Sequence, residues 1–380
     1  MELIKQLDNI IESTPFNLGH DFLSGKTLVA YGAGRLGEMV AKICTQHGIS
    51  ISFFVDKNCY EIKSILDIPV CSLEYLTKID TDNTVVLISA FKFPFYHIKS
   101  IINQFTDADI FTVYDLLYLI EEAYFSNGWF SGSISIEDKV NLYKVFENLD
   151  DIRSKETYLD FINWRVSRNE FDNIESSIIS ENEKYNNEIT QSCLSKLGSI
   201  VDVGSFDLSF SLKSLDLYPS ISKSYAFEPD KSSYAYCLKK LEENHTHIGK
   251  IKLEPLAISE VTGMVCFAHQ HGLASRLVHK ESNQLEKVDV TNLTEYFNKN
   301  KIDDTLIAIK IHNEGDELQT LKGARSLIEQ HRPLLMVNCS HNRDGLWAIQ
   351  QECMNLKNYK FYMRSHAFYG EGLTFYAVPF

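Results

Sequence analysis

The stretch IAIKIHNEGDELQTLKGA holds the residues best placed for chemistry. His312 sits at the tip of a strand-like run, with Lys310 two residues before it and Glu314 two residues after. Histidine has an ordinary pKa of about 6.5, so much of it is neutral at physiological pH and able to take a proton. With one ring nitrogen held by Glu314 or another carboxylate, the second can be aimed at a hydroxyl as a general base. His341, in NCSHNRDG, stands at the end of the next strand-like run, where it can reach the same place from the opposite wall. Taken alone, it reads as a satisfied polar group. The HQH triplet would turn His269 and His271 to one face of a strand, and His312, His341 and Glu314 could converge with them. Spacing fixes no third ligand, so no metal is expected.

Two strand-glycine-helix units supply the elements that would position such residues. The first runs from KTLVAY through Gly32, Gly34 and Gly37 into an amphipathic pattern, then a second strand ending at Asp56. Gly32 permits a tight turn, Gly34 lets backbone N–H groups approach a phosphate, and Gly37 lets the helix pack against the strand. Asp56 falls where a ribose hydroxyl would be met, so these four residues form a candidate second nucleotide site. The other reading is that the glycines only close a turn. The second unit begins at SIVDVGSFD, with Gly204 in the turn, and its next strand, KSYAFEPD, ends on Glu228. An acid there can accept both hydroxyls of a ribose, a geometry suited to S-adenosylmethionine or to NAD.

The chain has 380 residues, more than one ordinary domain. We divide it into a Rossmann-like domain over 1–120, a connector with helical periodicity over 121–190, and a second α/β domain over 191–380. Trp129, Phe130, Phe161 and Trp164 in the connector read as core, with an acceptor cleft as the alternative. The formal charge of −14 argues against duplex nucleic acid, which is bound through clustered Lys and Arg. Eight cysteines without a C-x-x-C pair fit a reducing cytoplasm, and no apolar run approaches membrane-spanning length. The start, MELIKQLDNIIE, puts Leu3, Ile4, Leu7, Ile10 and Ile11 on one helical face, unlike a signal peptide.

From Ser154 to Phe380 the blocks VDVGSFD, YAFEPD, IKIHNEGDELQTLKGA, HRPLLMVNCSHNRDGLW and YKFYMRSH…LTFYAVP occur in an order and spacing that resembles the FkbM-type S-adenosylmethionine-dependent methyltransferase family. The first unit resembles the Rossmann-like N-terminal domain of bacterial sugar O-acyltransferases. The resemblance implies a class I methyltransferase fold, a doubly wound and mainly parallel seven-stranded sheet ending in an antiparallel hairpin. It implies S-adenosylmethionine as cofactor and a hydroxyl of a saccharide or glycosylated metabolite as acceptor, with a homo-oligomer left open. Asp202 and Gly204 would face the methionine part, Ser205, Phe206 and Asp207 would complete the cofactor loop, and Glu228 would hold the ribose. Lys310, Glu314 and Gly315 would lie beside the methyl donor, with His341 matching a recurrent histidine.

Two residues depart from the family's pattern. His312 stands where an aspartate is usual, and Leu208 where a glycine is usual, so that a β-carbon there would crowd the methionine carboxylate. The first reading is therefore an O-methyltransferase with His312 as base. A degenerate methyltransferase serving as a non-catalytic glycan or nucleotide-binding module is the alternative, and an NAD-linked oxidoreductase using Gly32 and Asp56 comes last. Arg276, in a loop rich in small residues, reads first as one half of a surface ion pair, with contact to an acidic sugar or a phosphate as the alternative.

Overall fold

A computed structural model of the chain describes residues 2–13, 22–90, 92–118, 134–170, 178–268, 276–278 and 285–380. His269, His271, Trp129 and Phe130 lie outside the described residues, as does the side chain of Arg276. The chain divides into two compact units. One comprises Met1–Ile134, Leu159–Ile178 and Ala367–Glu371, the other Ser135–Tyr158, Ile179–His366 and Gly372–Phe380. The residues read as a connector are thus apportioned between the two.

In the first unit, β1 (Thr27–Tyr31), β2 (Ile51–Val55), β3 (Ser64–Ile65), β4 (Ile68–Cys71), β5 (Thr84–Ile88) and β6 (Asp109–Thr112) form one sheet in the order β3-β4-β2-β1-β5-β6. Every pairing is parallel except β3 with β4. Central strands of a parallel sheet are covered on both faces, so their sequences run apolar without alternation. The strand β5, TVVLI, is buried at all five positions. The helix Glu2–Glu12 buries Leu7 and Ile10, in keeping with its apolar face.

In the second unit, β7 (Gly198–Val203), β8 (Ile221–Phe227) and β9 (Ile251–Glu254) are followed by β10 (Ala257–Ile258), β11 (Gly263–Ala268), β12 (Arg276–Val278) and β13 (Glu286–Thr291). The chain then continues through β14 (Leu306–Ile311), β15 (Leu334–Asn338), β16 (Tyr359–Arg364) and β17 (Thr374–Pro379). Seven strands make one sheet in the order β16-β17-β15-β14-β7-β8-β9. It is parallel except for β17, which pairs antiparallel with both β15 and β16. This is the class I methyltransferase arrangement expected from the sequence. A four-stranded sheet, β10-β13-β11-β12, is inserted between β9 and β14. Sequence reasoning did not resolve it, because β10 and β12 are only two and three residues long.

The two middle strands, β7 and β14, are buried throughout. Each carries one charge, Asp202 and Lys310, and the two residues face each other in register. A charge buried alone would be costly, so the pairing lets each strand keep its polar residue.

Candidate functional site

The carboxyl ends of β7, β8 and β14 open on a cavity of roughly 470 Å³, where an open α/β sheet binds its ligands. Three backbone features shape its floor. Gly204, at φ +70°, ends β7, and a β-carbon there would lie 2.0 Å from the carbonyl oxygen of His312, so the turn requires glycine. Its N–H and that of Ser205 donate to the Phe227 carbonyl at 3.1 and 3.0 Å, binding the turn to the end of β8. Phe206 and Leu208 also adopt the left-handed region, at φ +52° and +60°.

The Leu208 side chain points away from the place where crowding was expected. It is wholly buried in the core with Ile200, Phe210 and Leu215, and it does not line the cavity. The local need is a positive φ, which leucine meets at a cost of about 1 kcal/mol.

Glu228 is held by two backbone donors. Phe206 N–H reaches one carboxylate oxygen at 2.8 Å and Asp230 N–H the other at 2.9 Å. Each oxygen keeps lone pairs for further donors. Burial pushes the carboxyl up to about 7, against the lowering effect of those two hydrogen bonds. Asp207 also lines the cavity, but its carboxylate is engaged by Ser209 and by Lys240 at 3.0 Å. Burial works against its charge, yet these partners hold its pKa below the ordinary value.

Asp202 stands beneath the cavity instead of on its wall. It is fully buried, accepting from Lys310 Nζ at 2.9 Å and from the Ser211 hydroxyl at 2.7 Å. The same Lys310 ammonium donates to the carbonyls of Val203 and Gly204 at 3.2 and 2.6 Å. Lys310 thus pins the glycine turn from below with all three protons in use.

Past β14 the chain turns through His312, Asn313, Glu314 at φ +58° and Gly315 at φ +114°. His312 Nδ1 lies 2.9 Å from the Tyr185 hydroxyl, and its Nε2 lies 3.3 Å from Glu314 Oε1. His341 Nε2 lies 3.4 Å from Glu314 Oε2, while its Nδ1 is 2.6 Å from Glu317 Oε1. The two imidazoles approach with ring centroids 5.1 Å apart. His312, Glu314 and His341, separate in sequence, are therefore one cluster, and His312 and Glu314 line the cavity.

Its electrostatics split the two histidines. Burial, with Lys184, His341 and Lys310 nearby, holds His312 well below the ordinary value, so it is neutral. Burial acts on His341 in the same direction, but the Glu314 and Glu317 carboxylates outweigh it and raise it to about 9. Glu314 is raised by burial, an effect that the positive His341 opposes.

Two members of the cluster escaped sequence reasoning. Glu317 is buried and accepts from the N–H groups of Asn313 and Gly315 at 3.2 and 3.0 Å, besides holding His341. In the sequence it looks like an acid in a helix's first turn, complementing the dipole. Its repeat three residues after Glu314 was the available signal. Tyr185 lies in ENEKYNN, which has no periodic pattern, and reaches His312 across 127 positions.

In the first unit, Gly32 has φ +106°, and a β-carbon on Gly37 would lie 2.3 Å from the Gly32 carbonyl. Asp56 accepts from the N–H groups of Ala33 and Asn58, both at 2.8 Å. Gly34 has open space where a β-carbon would stand.

Residues 202–368 match the family model described as the Methyltransferase FkbM domain. The chain is similar in structure to the Methyltransferase FkbM of Methylobacillus flagellatus KT. The TM-score is 0.72 at 17% identity, covering 99% of this chain and 98% of that one. A precorrin-6y C5,15-methyltransferase from Geobacter metallireducens GS-15 matches at TM-score 0.31 and 9% identity, covering 54% of this chain and 96% of its own. A putative caffeoyl-CoA O-methyltransferase from Staphylococcus aureus matches at TM-score 0.31 and 10% identity, covering 47% and 75%. No curated protein matches in sequence. Among the described residues no helix is long and apolar enough to cross a membrane.

Proposed function

We propose that this chain, which carries a methyltransferase domain of the FkbM type, transfers a methyl group from S-adenosylmethionine to a hydroxyl of a saccharide or glycosylated small molecule. One observation carries the reading. The cavity that holds the Gly204 turn and Glu228 on one side holds His312 and Glu314 on the other.

The residues fit an adenosyl cofactor. Glu228 keeps acceptor capacity on both oxygens toward the cavity, which suits two ribose hydroxyls. Ser205 and Phe206 offer the turn that Lys310 and Asp202 hold in place, and the Leu208 side chain stays clear of the cavity. S-adenosylmethionine supplies an electrophilic methyl group carried on a sulfonium.

The acceptor oxygen must be aligned in line with that methyl and relieved of its proton. Removal of the proton falls to the His312–Glu314 pair. His312 is neutral, its Nδ1 is held by the Tyr185 hydroxyl, and its Nε2 lies 3.3 Å from Glu314 Oε1. Glu317, through His341 and the backbone of Asn313 and Gly315, is a positioning residue for the pair. The aspartate usual in the family is thus replaced by another proton acceptor at the same strand tip.

The reading is tested by incubating the chain with methyl-labelled S-adenosylmethionine and a panel of nucleotide sugars and oligosaccharides. Label in a saccharide product is expected. Absence of label from every saccharide in the panel would overturn the substrate class.

A further inference from the structure

We propose that His312, Glu314 and His341 form a binding site for one divalent transition-metal ion, with Glu317 and Tyr185 as the partners that orient its histidine ligands. The site itself stands on the geometry of the cluster. Its use in methyl transfer rests on the function proposed above.

The first argument is the direction of the rings. Both imidazoles turn Nε2 toward the same carboxylate, at 3.3 and 3.4 Å, and all three ligand atoms lie within 4.8 Å of one another. Hydrogen bonds between an imidazole and a carboxylate close to about 2.7–2.9 Å, as a charge-assisted pair should. His341 and Glu317 do so in this very cluster, at 2.6 Å. The Nε2-to-Glu314 separations are longer. His312 faces Oε1 and His341 faces Oε2, so the carboxylate offers one oxygen to each ring at a spacing near the roughly 3.4 Å of neighbouring donors on an ion with bonds near 2.1 Å.

The second argument is what holds the far side of each ring. Histidine ligands of metal ions give their other N–H to a carboxylate, carbonyl or similar oxygen, which fixes the tautomer and leaves a lone pair for the ion. Here Nδ1 of His341 is on Glu317 and Nδ1 of His312 is on the Tyr185 hydroxyl. Glu317 is itself fixed by two backbone N–H groups, and Asn342 Nδ2 donates to the Gly315 carbonyl at 2.6 Å. The third argument is access. His312 and Glu314 line the cavity, so an ion held there would present open positions to an incoming ligand.

Two imidazoles and one carboxylate suit zinc, manganese, iron or cobalt better than calcium or magnesium, which prefer all-oxygen sets. With the ion in place His312 is a ligand. The ion would then take over from His312 as the group that activates the acceptor, by lowering the pKa of a hydroxyl whose proton would pass to solvent.

Cobalt(II) is the probe, added to the untagged, chelator-treated chain and followed by visible ligand-field absorption and equilibrium dialysis. One equivalent is expected in the parent chain. Glu314→Ala and His341→Ala are each expected to weaken binding at least tenfold, and Glu317→Gln by about ten- to a hundredfold. Thermal melting without metal establishes that each variant is folded, and the double variant His312→Ala/His341→Ala serves if one is not. Failure of the parent chain to bind a stoichiometric ion, or binding unchanged in these variants, overturns the site. S-adenosylhomocysteine binding to the parent chain is measured alongside. Cofactor binding without cobalt sinks the metal site alone, and cobalt without cofactor sinks the proposed transferase alone.

Discussion

The two units repeat one backbone device and differ in what the neighbouring strand brings to it. In both, a glycine at positive φ ends the first strand, and an acid at the tip of the next accepts two backbone N–H groups. These are Ala33 and Asn58 for Asp56, and Phe206 and Asp230 for Glu228. In both, the residue after the adjoining parallel strand donates its N–H back to the first strand, Ser89 to Tyr31 and His312 to Val203. Ser89 spends its hydroxyl on the carbonyls of Gly32 and Tyr31, at 2.6 and 2.9 Å. His312 instead has its glycine carbonyl taken by Lys310 from within the strand, and its ring is free to join Glu314 and His341. The glycine turn and the backbone grip on its acid are therefore common to both units. The units differ one strand away, where Ser89 closes its turn and His312 joins a cluster of ionisable side chains.

The largest test of that contrast is at the two strand tips. His312→Ala should lower methyl transfer by about 10²–10⁴, the usual worth of a positioned proton acceptor. Ser89→Ala should leave the rate unchanged. Turnover of labelled cofactor checks both, and equal losses would dissolve the distinction between the units.

Lys310→Met breaks the buried pair beneath the second turn, leaving Asp202 with the Ser211 hydroxyl and no counter-charge. A loss of about 3–5 kcal/mol in unfolding free energy is expected from denaturant melts. Asp202→Asn added to it should recover part of the loss, since the orphaned charge is removed with its partner.

Glu228→Gln should weaken S-adenosylhomocysteine binding by more than about tenfold, because one carboxylate acceptor becomes a donor facing a backbone N–H. The parent chain should also show a pH effect. The Glu228 carboxyl titrates at about 7, and its protonated form has fewer lone pairs for ribose hydroxyls. Affinity should therefore rise as pH climbs through that value and level off above it, and Glu228→Gln should flatten the curve.

The smallest effect is expected at Leu208→Gly. Relief of the positive φ offsets part of the lost burial, leaving a destabilisation of about 1–2 kcal/mol. Cofactor affinity should change by less than about threefold. Binding tightened by an order of magnitude would mean that leucine does obstruct the pocket.

The fold of the second unit was legible because its signals are local and ordered. Buried runs such as SIVDV and IAIKI, glycine turns and the closing hairpin each follow from a few neighbouring residues. The site was half legible. His312, Glu314, His341 and Glu228 stand at strand tips, which the strand pattern locates. Asp202 was harder, because its strand position does not say whether it faces the cavity or a lysine in register on the next strand. Glu317 was signalled only by its place three residues after Glu314, and Tyr185 acts through a contact that no spacing rule encodes. The left-handed turn at Leu208 was misread as a need for space, since a missing glycine tells of conformation and of room in the same letter.

Calorimetry of S-adenosylhomocysteine with the parent chain, Glu228→Ala and Asp56→Ala tests the central claim most directly. One site of micromolar affinity in the parent chain is expected, lost in Glu228→Ala and kept in Asp56→Ala. No binding at millimolar cofactor, or binding lost in Asp56→Ala and kept in Glu228→Ala, would contradict it.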